Sequence, residues 1–258
     1  MTSPLAFVTG ASSGIGQALA ARHAKAGYRL ALVARRAGEV EAWARGQGLA
    51  AERVRVYTAD VRDVASITAA GRACLAEQGL PDVVIASAGI SVGVDTAELA
   101  DLEQMRATFE TNNLGLAATF QPFLRGMRRR RSGTLVGIAS VGGIRGLPGH
   151  GAYCASKAAV ISYCESLRGE CRPFGVKVVT IVPGYVDTPL TQRNRYRMPF
   201  LMQADAFADK AYDAISAGVS YRVIPWQMGV LAKLLRALPD SLFDRLFAGR
   251  ARKRRAGE

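Results

Sequence analysis

The chain has 258 residues, 49% of them hydrophobic, and no stretch resembling a linker or a repeat. We therefore predict a single domain over residues 1–258 with one substantial core. The net charge of +13 would suit nucleic acid or anionic lipid. However, the arginine-rich runs at 128–131 and 250–255 contain no aromatic side chains that could stack on bases, which argues against nucleic acid.

The histidines and cysteines also exclude some classes of protein. Two histidines without a cluster of acidic residues argue against a dedicated metal site, and four cysteines are too few for a disulfide scaffold. No secretory leader precedes the apolar run at 5–8, and no apolar stretch is long enough to span a bilayer. These features predict a cytoplasmic protein.

Short apolar runs predict β-strands, and longer runs with a helical period predict α-helices. In chain order they are strand 5–8, helix 14–26, strand 29–34, strand 54–57, helix 64–76, strand 83–86, helix 101–127, strand 134–138, helix 152–171, strand 176–182 and strand 222–224. This alternation predicts an α/β fold, a Rossmann-like doubly wound parallel sheet of about seven strands with helices on both faces. Ligands of such sheets bind beyond the carboxyl ends of the strands, so functional residues are expected there.

A glycine-rich turn follows the first predicted strand and leads into a helix. It contains Gly10, Gly14 and Gly16, with Ser12 and Ser13 between them. Glycines allow a sharp turn and a close approach to a pyrophosphate, whose charge is stabilised by the helix N-terminus. The pattern predicts a dinucleotide site.

The residues after the second strand bear on the choice of cofactor. An NAD site usually carries an acid here to bind the ribose 2′-hydroxyl, but this chain has Arg35 and Arg36 and no acid before Glu39. A guanidinium is well suited to a 2′-phosphate, so we predict NADP(H). We expect Arg35 to bind the phosphate and Arg36 to lie in the solvated turn.

A second group of residues suggests proton chemistry. Tyr153 and Lys157 lie four residues apart on one helix face, and a neighbouring ammonium is expected to lower the pKa of a phenol towards neutrality. Ser140 follows the fifth strand, where its hydroxyl could bind a substrate oxygen. Asn112 lies inside the long predicted helix, where its amide must be satisfied internally, and a water leading to Lys157 would do so.

These motifs together resemble the classical short-chain dehydrogenases/reductases. The resemblance extends from Thr9 to about Pro189 and is carried by Thr9–Gly16, Asp60 with Val61, Ala88 with Gly89, Asn112, Ser140, Tyr153, Lys157, and Pro183 with Gly184. It implies a hydride transfer between a nicotinamide and a carbonyl or alcohol carbon of a small-molecule substrate. It also implies a homodimer or homotetramer, with the helices containing Asn112 and Tyr153 at the interface.

The resemblance also implies residue roles. Tyr153 would be the general acid/base, Lys157 would lower its pKa and bind the nicotinamide ribose, Ser140 would orient the carbonyl and Asn112 would hold a relay water. Asp60 would contact the adenine, and Val186 and Thr188 the carboxamide. The full set of expected cofactor-binding residues is Gly10, Ser12, Ser13, Gly14, Ile15, Gly16, Arg35, Asp60, Val61, Ala88, Gly89, Tyr153, Lys157, Pro183, Gly184, Val186 and Thr188.

One position departs from the family pattern. The family usually has Asn-Asn-Ala-Gly after the fourth strand, whereas this chain has Ala86-Ser87-Ala88-Gly89. Ala86 cannot make the side-chain hydrogen bonds of the usual asparagine, which affects local stabilisation rather than the chemistry. For His150, three residues before Tyr153, we expect a pocket-lining or structural role rather than catalysis.

The C-terminal third leaves several alternatives open. Residues 188–207 are expected to form a substrate lid, or else a surface insertion. Residues 225–249 are predicted as two apolar-rich helices and residues 250–258 as a basic tail. The helices would pack over the active site or a subunit interface and leave the tail disordered, or they would associate reversibly with a membrane surface. The rivals to a carbonyl reductase are a non-catalytic NADP(H) sensor or scaffold and a peripheral membrane-binding protein.

Overall fold

The computed structural model describes residues 3–192, 194, 196–249, 252–255 and 257. These residues form one parallel sheet covered by helices on both faces. The strands are β1 (Leu5–Thr9), β2 (Arg29–Ala34), β3 (Val54–Thr58), β4 (Val83–Ala86), β5 (Thr134–Ile138), β6 (Lys177–Pro183) and β7 (Tyr221–Ile224). The α-helices are α1 (Gly14–Lys25), α2 (Ala37–Gly46), α3 (Val64–Glu77), α4 (Asp101–Phe109), α5 (Gly115–Arg130), α6 (Gly151–Cys171), α7 (Ala204–Ala217), α8 (Trp226–Ala237) and α9 (Asp240–Phe247).

The strand order is β3-β2-β1-β4-β5-β6-β7, and every neighbouring pair is parallel. The order reverses direction between β1 and β4, which is the topological switch point where doubly wound sheets bind their ligands. The predicted Rossmann-like fold is therefore confirmed.

The strands are apolar on both faces because a helical layer covers each face. On one face, α3, α5 and α6 bury Ile67, Phe123 and Val160 against the sheet. On the other, α1 and α7 bury Leu19 and Phe207. Such burial on two sides explains why β1, β2 and β4 read as continuous apolar runs rather than alternating ones.

The structure corrects three predictions about helices. The long predicted helix at 101–127 is two α-helices joined by a π-helical turn, Glu110–Leu114. Helix α2 was not predicted, because it buries only Val40 and Ala44. Helix α7 was also missed; because it begins at Ala204, the last residues of the predicted lid belong to a helix packed against α1.

The two predicted C-terminal helices are confirmed as α8 and α9. Met228 and Ala232 of α8 are buried, as is Phe243 of α9, so both helices pack onto the body of the protein. Among the described residues, no helix has both the length and the apolar character needed to cross a membrane. Arg193 and Arg195 of the predicted lid, and residues 250, 251, 256 and 258 of the predicted tail, lie outside the described residues.

Candidate active site

The glycine-rich turn between β1 and α1 has the backbone that a phosphate cradle requires. Gly10 and Gly14 have φ values of 69° and 58°, in the left-handed region that favours glycine. A Cβ on Gly16 would collide with the carbonyl oxygen of Gly10. Ser13 precedes α1 without capping it through its side chain, so the N–H groups of the first turn remain suited to an anion.

The turn forms one wall of a cleft of about 350 Å³ at the carboxyl ends of the strands. Every residue predicted to bind cofactor lines this cleft, from Gly10 and the residues at 12–16 through Arg35, Asp60, Val61, Ala88 and Gly89 to Tyr153, Lys157, Pro183, Gly184, Val186 and Thr188. Ser140 lines it too, whereas Asn112 is buried behind it. The cleft has glycines where backbone must approach closely and helix N–H groups where a phosphate would lie, so its residues fit a dinucleotide.

The two arginines after β2 have different surroundings. Arg36 Nε lies 3.1 Å from a carboxylate oxygen of Glu39, which is the turn-associated position expected for it. The Nη1 of Arg35 lies 3.9 Å from Asp60, at the long limit of an ion pair, and its side chain is 70% exposed. Arg35 is therefore the more adaptable of the two cations at this end of the cleft.

The residues expected to transfer protons meet at the floor of the cleft. Ser140 lies beside the Tyr153 hydroxyl, and its Oγ accepts a hydrogen bond of 3.1 Å from Gly142 N. Lys157 is buried, and its Nζ donates to the carbonyl oxygen of Ile138 at 2.8 Å. The ammonium lies 5.9 Å from the centroid of the Tyr153 ring.

The expected lowering of the Tyr153 pKa is not observed. Burial raises the pKa of Tyr153 to about 12, and the neighbouring Ser140 hydroxyl opposes this only in part. Burial likewise lowers the pKa of Lys157 to about 8. The prediction neglected desolvation, which disfavours the charged form of each group. Tyr153 is thus held as a neutral phenol, the form that can donate a proton.

Asn112 lies in the π-helical turn, and protein groups satisfy its amide. Its Oδ1 accepts from Ile90 N at 2.9 Å, and its Nδ2 donates to Ile90 O at 3.0 Å and to Ser156 Oγ at 2.9 Å. Ile90 and Ser156 therefore satisfy the amide internally, and the relay water expected at Asn112 stays a prediction. A Cβ on Gly89 would lie 3.2 Å from Asn112 Oδ1 and 3.5 Å from Lys157 Nζ, so Asn112 lies close to the lysine.

Thr9 stabilises the turn where the family pattern has its usual asparagine. Its Oγ1 accepts hydrogen bonds from the backbone N–H groups of Ser87 and Ala88, at 3.2 and 3.3 Å. The hydroxyl therefore links the end of β1 to the loop after Ala86. The departure at Ala86 is visible in the sequence but this link is not, because nothing local to Thr9 indicates its partners.

Thr191 is a second residue whose role has no signal in the sequence. Its hydroxyl accepts from Thr188 N at 3.1 Å and donates to the Val186 carbonyl, which fixes the turn at the edge of the cleft. Gly14 approaches the same turn: a Cβ there would lie 3.2 Å from Thr188 Cγ2. The cleft is therefore closed on this side by contact between the first and last segments that line it.

An apolar cavity of about 640 Å³ lies beside Tyr153. A Cβ on Gly142, which lines this cavity, would lie 3.4 Å from Cε1 of Tyr153, so the cavity wall contacts the phenol ring. Its other lining residues come from the loops after β5 and β6, the predicted lid and the C-terminal helices. They include Leu147, Tyr185, Tyr196, Pro199, Met228, Leu231 and Leu246.

His150 lines this cavity, in agreement with the role expected for it. It lies at the N-cap position of α6; its Nδ1 is 3.1 Å from Pro148 O and its Nε2 is 3.3 Å from the Tyr196 hydroxyl. Burial lowers the pKa of His150, so the imidazole is held neutral. Through Tyr196, His150 connects α6, which carries Tyr153, to the predicted lid.

Arg145 attaches the C-terminal helices to the loop after β5. Its guanidinium is stacked 3.9 Å from the centroid of the Phe243 ring and forms an ion pair of 2.9 Å with Asp240. It also donates at 2.7 to 2.9 Å to three carbonyl oxygens at the end of α8, those of Leu235, Arg236 and Leu238. A cation is well placed at a helix C-terminus, where carbonyl groups are unpaired.

The fold and the cleft define a dinucleotide-binding oxidoreductase, and comparison with known proteins agrees. The family model described as short chain dehydrogenase matches residues 4–198. The chain belongs to the short-chain dehydrogenase family. An uncharacterized oxidoreductase of Myxococcus xanthus is 38% identical over 247 residues, 95% of this chain and 96% of that protein. A putative ketoacyl reductase of the monensin polyketide synthase from Streptomyces virginiae is 39% identical over 199 residues, 75% of each chain.

Solved structures of the family have the same fold and bind both nicotinamide cofactors. A short-chain dehydrogenase from Streptomyces avermitilis superposes with a TM-score of 0.82 at 25% identity, over 95% of this chain and 96% of that chain. One from Sphingobium yanoikuyae, in complex with NADPH, has a TM-score of 0.76 at 26% identity, covering 92% and 97%. A 3-ketoacyl-(acyl-carrier-protein) reductase from Brucella melitensis, in complex with NADH, has a TM-score of 0.76 at 26% identity, covering 86% and 96%.

Proposed function

We propose that this protein is an NADPH-dependent carbonyl reductase acting on a small, largely apolar carbonyl or alcohol compound. The observation that carries the proposal is the neutral Tyr153 phenol beside Ser140, where the glycine-lined cleft meets an apolar cavity. The cofactor, when bound, supplies a hydride to the carbonyl carbon. The protein must then place the carbonyl and supply one proton to its oxygen.

The side chains around Tyr153 suit these two tasks. Ser140 can donate a hydrogen bond to the carbonyl oxygen and hold it beside the phenol. Tyr153 then gives its proton to that oxygen, and in the reverse direction it takes the proton back. The phenolate so formed is stabilised by the Ser140 hydroxyl and by the positive charge of Lys157, whose carbonyl partner Ile138 fixes its position.

The preference for NADPH rests on the end of β2. Arg35 and Arg36 line the cleft there, and Arg36 is already paired with Glu39. Arg35 is only distantly paired and can turn its guanidinium towards a 2′-phosphate. An NADH-specific site would instead have a carboxylate at this position to accept from the ribose 2′-hydroxyl.

The test is a fluorescence titration of the purified protein with NADPH and NADH, followed by a panel of carbonyl compounds. We expect tighter binding of NADPH and its oxidation by an apolar member of the panel. Arg35→Ala should weaken NADPH binding about tenfold to a hundredfold, because a charged hydrogen bond is lost, and should leave NADH binding nearly unchanged. Equal effects on both cofactors would refute the role of Arg35. Cofactor binding without any turnover would favour an NADP(H) sensor instead.

Self-association as a homodimer or homotetramer is part of the proposal. Four large apolar side chains remain exposed around the helices expected at the interface: Leu102 and Met105 on α4, Leu114 at the end of the π-helical turn, and Tyr163 on α6. Light scattering after gel filtration should show a dimer or a tetramer. Leu102→Glu should shift the mass towards that of a single chain, and a monomeric wild-type protein would contradict this part of the proposal.

Reversible association with an anionic membrane surface is a second candidate function. Trp226, Val230 and Leu234 form an exposed stripe on α8, with Trp226 69% exposed, on the side opposite the buried Met228 and Ala232. Exposed cations on α8 and α9 would favour binding to anionic lipid. Leu234→Glu should abolish co-sedimentation with vesicles containing phosphatidylserine, whereas Leu99→Glu, on a distant exposed loop, should not. Equal pelleting of the two variants would exclude this surface.

A further inference from the structure

The described part of the basic tail is not disordered but packed beside the active site. Residues 252–255, which we call the C-terminal strap, lie between the loop after β4 and the loop before α6. Gly93 N donates to the carbonyl oxygen of Arg254 at 2.9 Å, and Gly93 forms a parallel bridge with Arg255. A Cβ on Gly149 would lie 2.9 Å from Cβ of Arg252. Chain termini fray unless they are tied down, and this segment is tied on both sides.

An ion pair with Asp101 fixes the end of the strap. Arg255 Nε donates to Asp101 Oδ2 at 2.7 Å, and its guanidinium also reaches Glu98 at 3.8 Å. Asp101 begins α4 and is 5% exposed; its Oδ2 also accepts from Asp95 N at 2.7 Å. The pKa of Asp101 is lowered, chiefly by the hydrogen bond from Arg255. Without Arg255, a buried carboxylate would lose its cation, and the segment that it organises would loosen.

The strap contacts both segments that lead to the proton-transfer residues. Gly93 lies three residues after Ile90, whose N–H and carbonyl groups are both bonded to Asn112. Val94 N donates to Gly149 O at 3.2 Å, which joins the two loops directly beside the strap. Gly149 precedes His150 at the start of the helix that carries Tyr153, and the charge of Lys253 adds to the burial that lowers the His150 pKa.

We propose that the C-terminal strap holds these two loops together and so positions the substrate side of the active site, with Arg255 as its positioning residue. The inference rests on the proposed reductase function for its kinetic consequence only. The strap contacts the loop that carries His150, which lines the apolar cavity, and it contributes no residue to the glycine-lined cleft. Loosening it should therefore weaken substrate binding and leave cofactor binding intact.

The test compares Arg255→Gln with Arg254→Gln in the full chain. Both remove one positive charge from the strap, but the exposed Arg254 contributes its backbone carbonyl, which the substitution keeps. We expect Arg255→Gln to speed hydrogen exchange of the segments at 90–95 and 147–152 about tenfold, and Arg254→Gln to leave it unchanged. Arg255→Lys keeps the charge but not the planar guanidinium, so its exchange rate in these segments should lie between those of the two glutamine variants.

A second variant displaces the strap without changing any charge. In Gly93→Ala the new Cβ would collide with the carbonyl oxygen of Lys253, whereas Gly146→Ala places its Cβ in open space and serves as the control. Gly93→Ala should reproduce the faster exchange seen with Arg255→Gln. Both variants should raise KM for the carbonyl compound about tenfold, with kcat and NADPH affinity changed less than about twofold.

Each arm of the experiment has a result that would overturn the proposal. Equal exchange in Arg255→Gln and Arg254→Gln would show that the Asp101 pair does not hold the strap. Faster exchange with an unchanged KM would show that the strap does not position the substrate side. Absence of turnover in the wild-type protein would refute the reductase function alone, because the exchange measurement needs no substrate.

Discussion

The two sides of Tyr153 are built in different ways. The cofactor side consists of short segments that directly follow β1 to β4 and β6, and its defining feature is backbone geometry at Gly10, Gly14 and Gly16. The substrate side joins segments distant in sequence, as Arg145 shows by bonding to carbonyl groups about ninety residues further on. A short sequence motif predicts local backbone geometry, but it does not predict packing between segments that are distant in sequence. The comparison predicts that substitutions on the two sides will affect different kinetic constants.

The largest effect is expected at the boundary between the two sides. Tyr153→Phe removes the proton donor and keeps the ring, so turnover should fall about 10²- to 10⁴-fold, the usual range for general acid catalysis. NADPH affinity should change little. Turnover is measured by NADPH oxidation, and NADPH affinity by fluorescence titration. Tyr163→Phe, on an exposed position of the same helix, is the matched control. A turnover near that of the wild-type protein would show that Tyr153 is not the proton donor.

Gly16→Ala should break the cofactor side alone. The new Cβ would collide with the Gly10 carbonyl and displace the turn, at a cost of about 1–3 kcal/mol. We expect NADPH affinity to fall about tenfold to a hundredfold, as measured by titration. Gly169→Ala in α6 meets nothing within 4 Å and should keep full affinity and slightly raise stability. If the two alanine variants bind NADPH equally well, the cradle does not depend on close backbone approach.

This contrast also explains what could be predicted from the sequence. The sheet, the glycine turn and the residues after the strands were predicted because each depends on a few neighbouring residues. The π-helical turn at Asn112, the link from Thr9 to the loop after β4 and the strap at Arg255 depend on partners far away in the chain. The Tyr153 pKa was predicted in the wrong direction because spacing shows the neighbouring charge and not the burial.

Arg145→Met should break the substrate side in the same selective way. Methionine keeps much of the apolar stem but loses the bonds to the end of α8 and the ion pair with Asp240. We expect the free energy of unfolding to fall by about 2 kcal/mol and exchange in α8 and α9 to rise, with NADPH affinity unchanged. Lys233→Met, an exposed cation on α8, is the control. A loss of NADPH affinity would show that the two sides are coupled through this loop.

The smallest expected effect concerns Thr9, which supports the cofactor side where Ala86 replaces the usual asparagine. Thr9→Val keeps the shape and removes the oxygen that accepts from Ser87 N and Ala88 N. Because these N–H groups would lose a partner at the edge of the cleft, we expect a loss of about 1 kcal/mol in the free energy of unfolding and a severalfold weaker NADPH affinity. Thr9→Ser keeps the hydroxyl and should restore most of both, and Thr58→Val, exposed on β3, should change neither. If Thr9→Val changed stability without changing NADPH affinity, the hydroxyl would support the sheet and not the cofactor side, and the stabilisation lost with the asparagine would have to come from elsewhere in this loop.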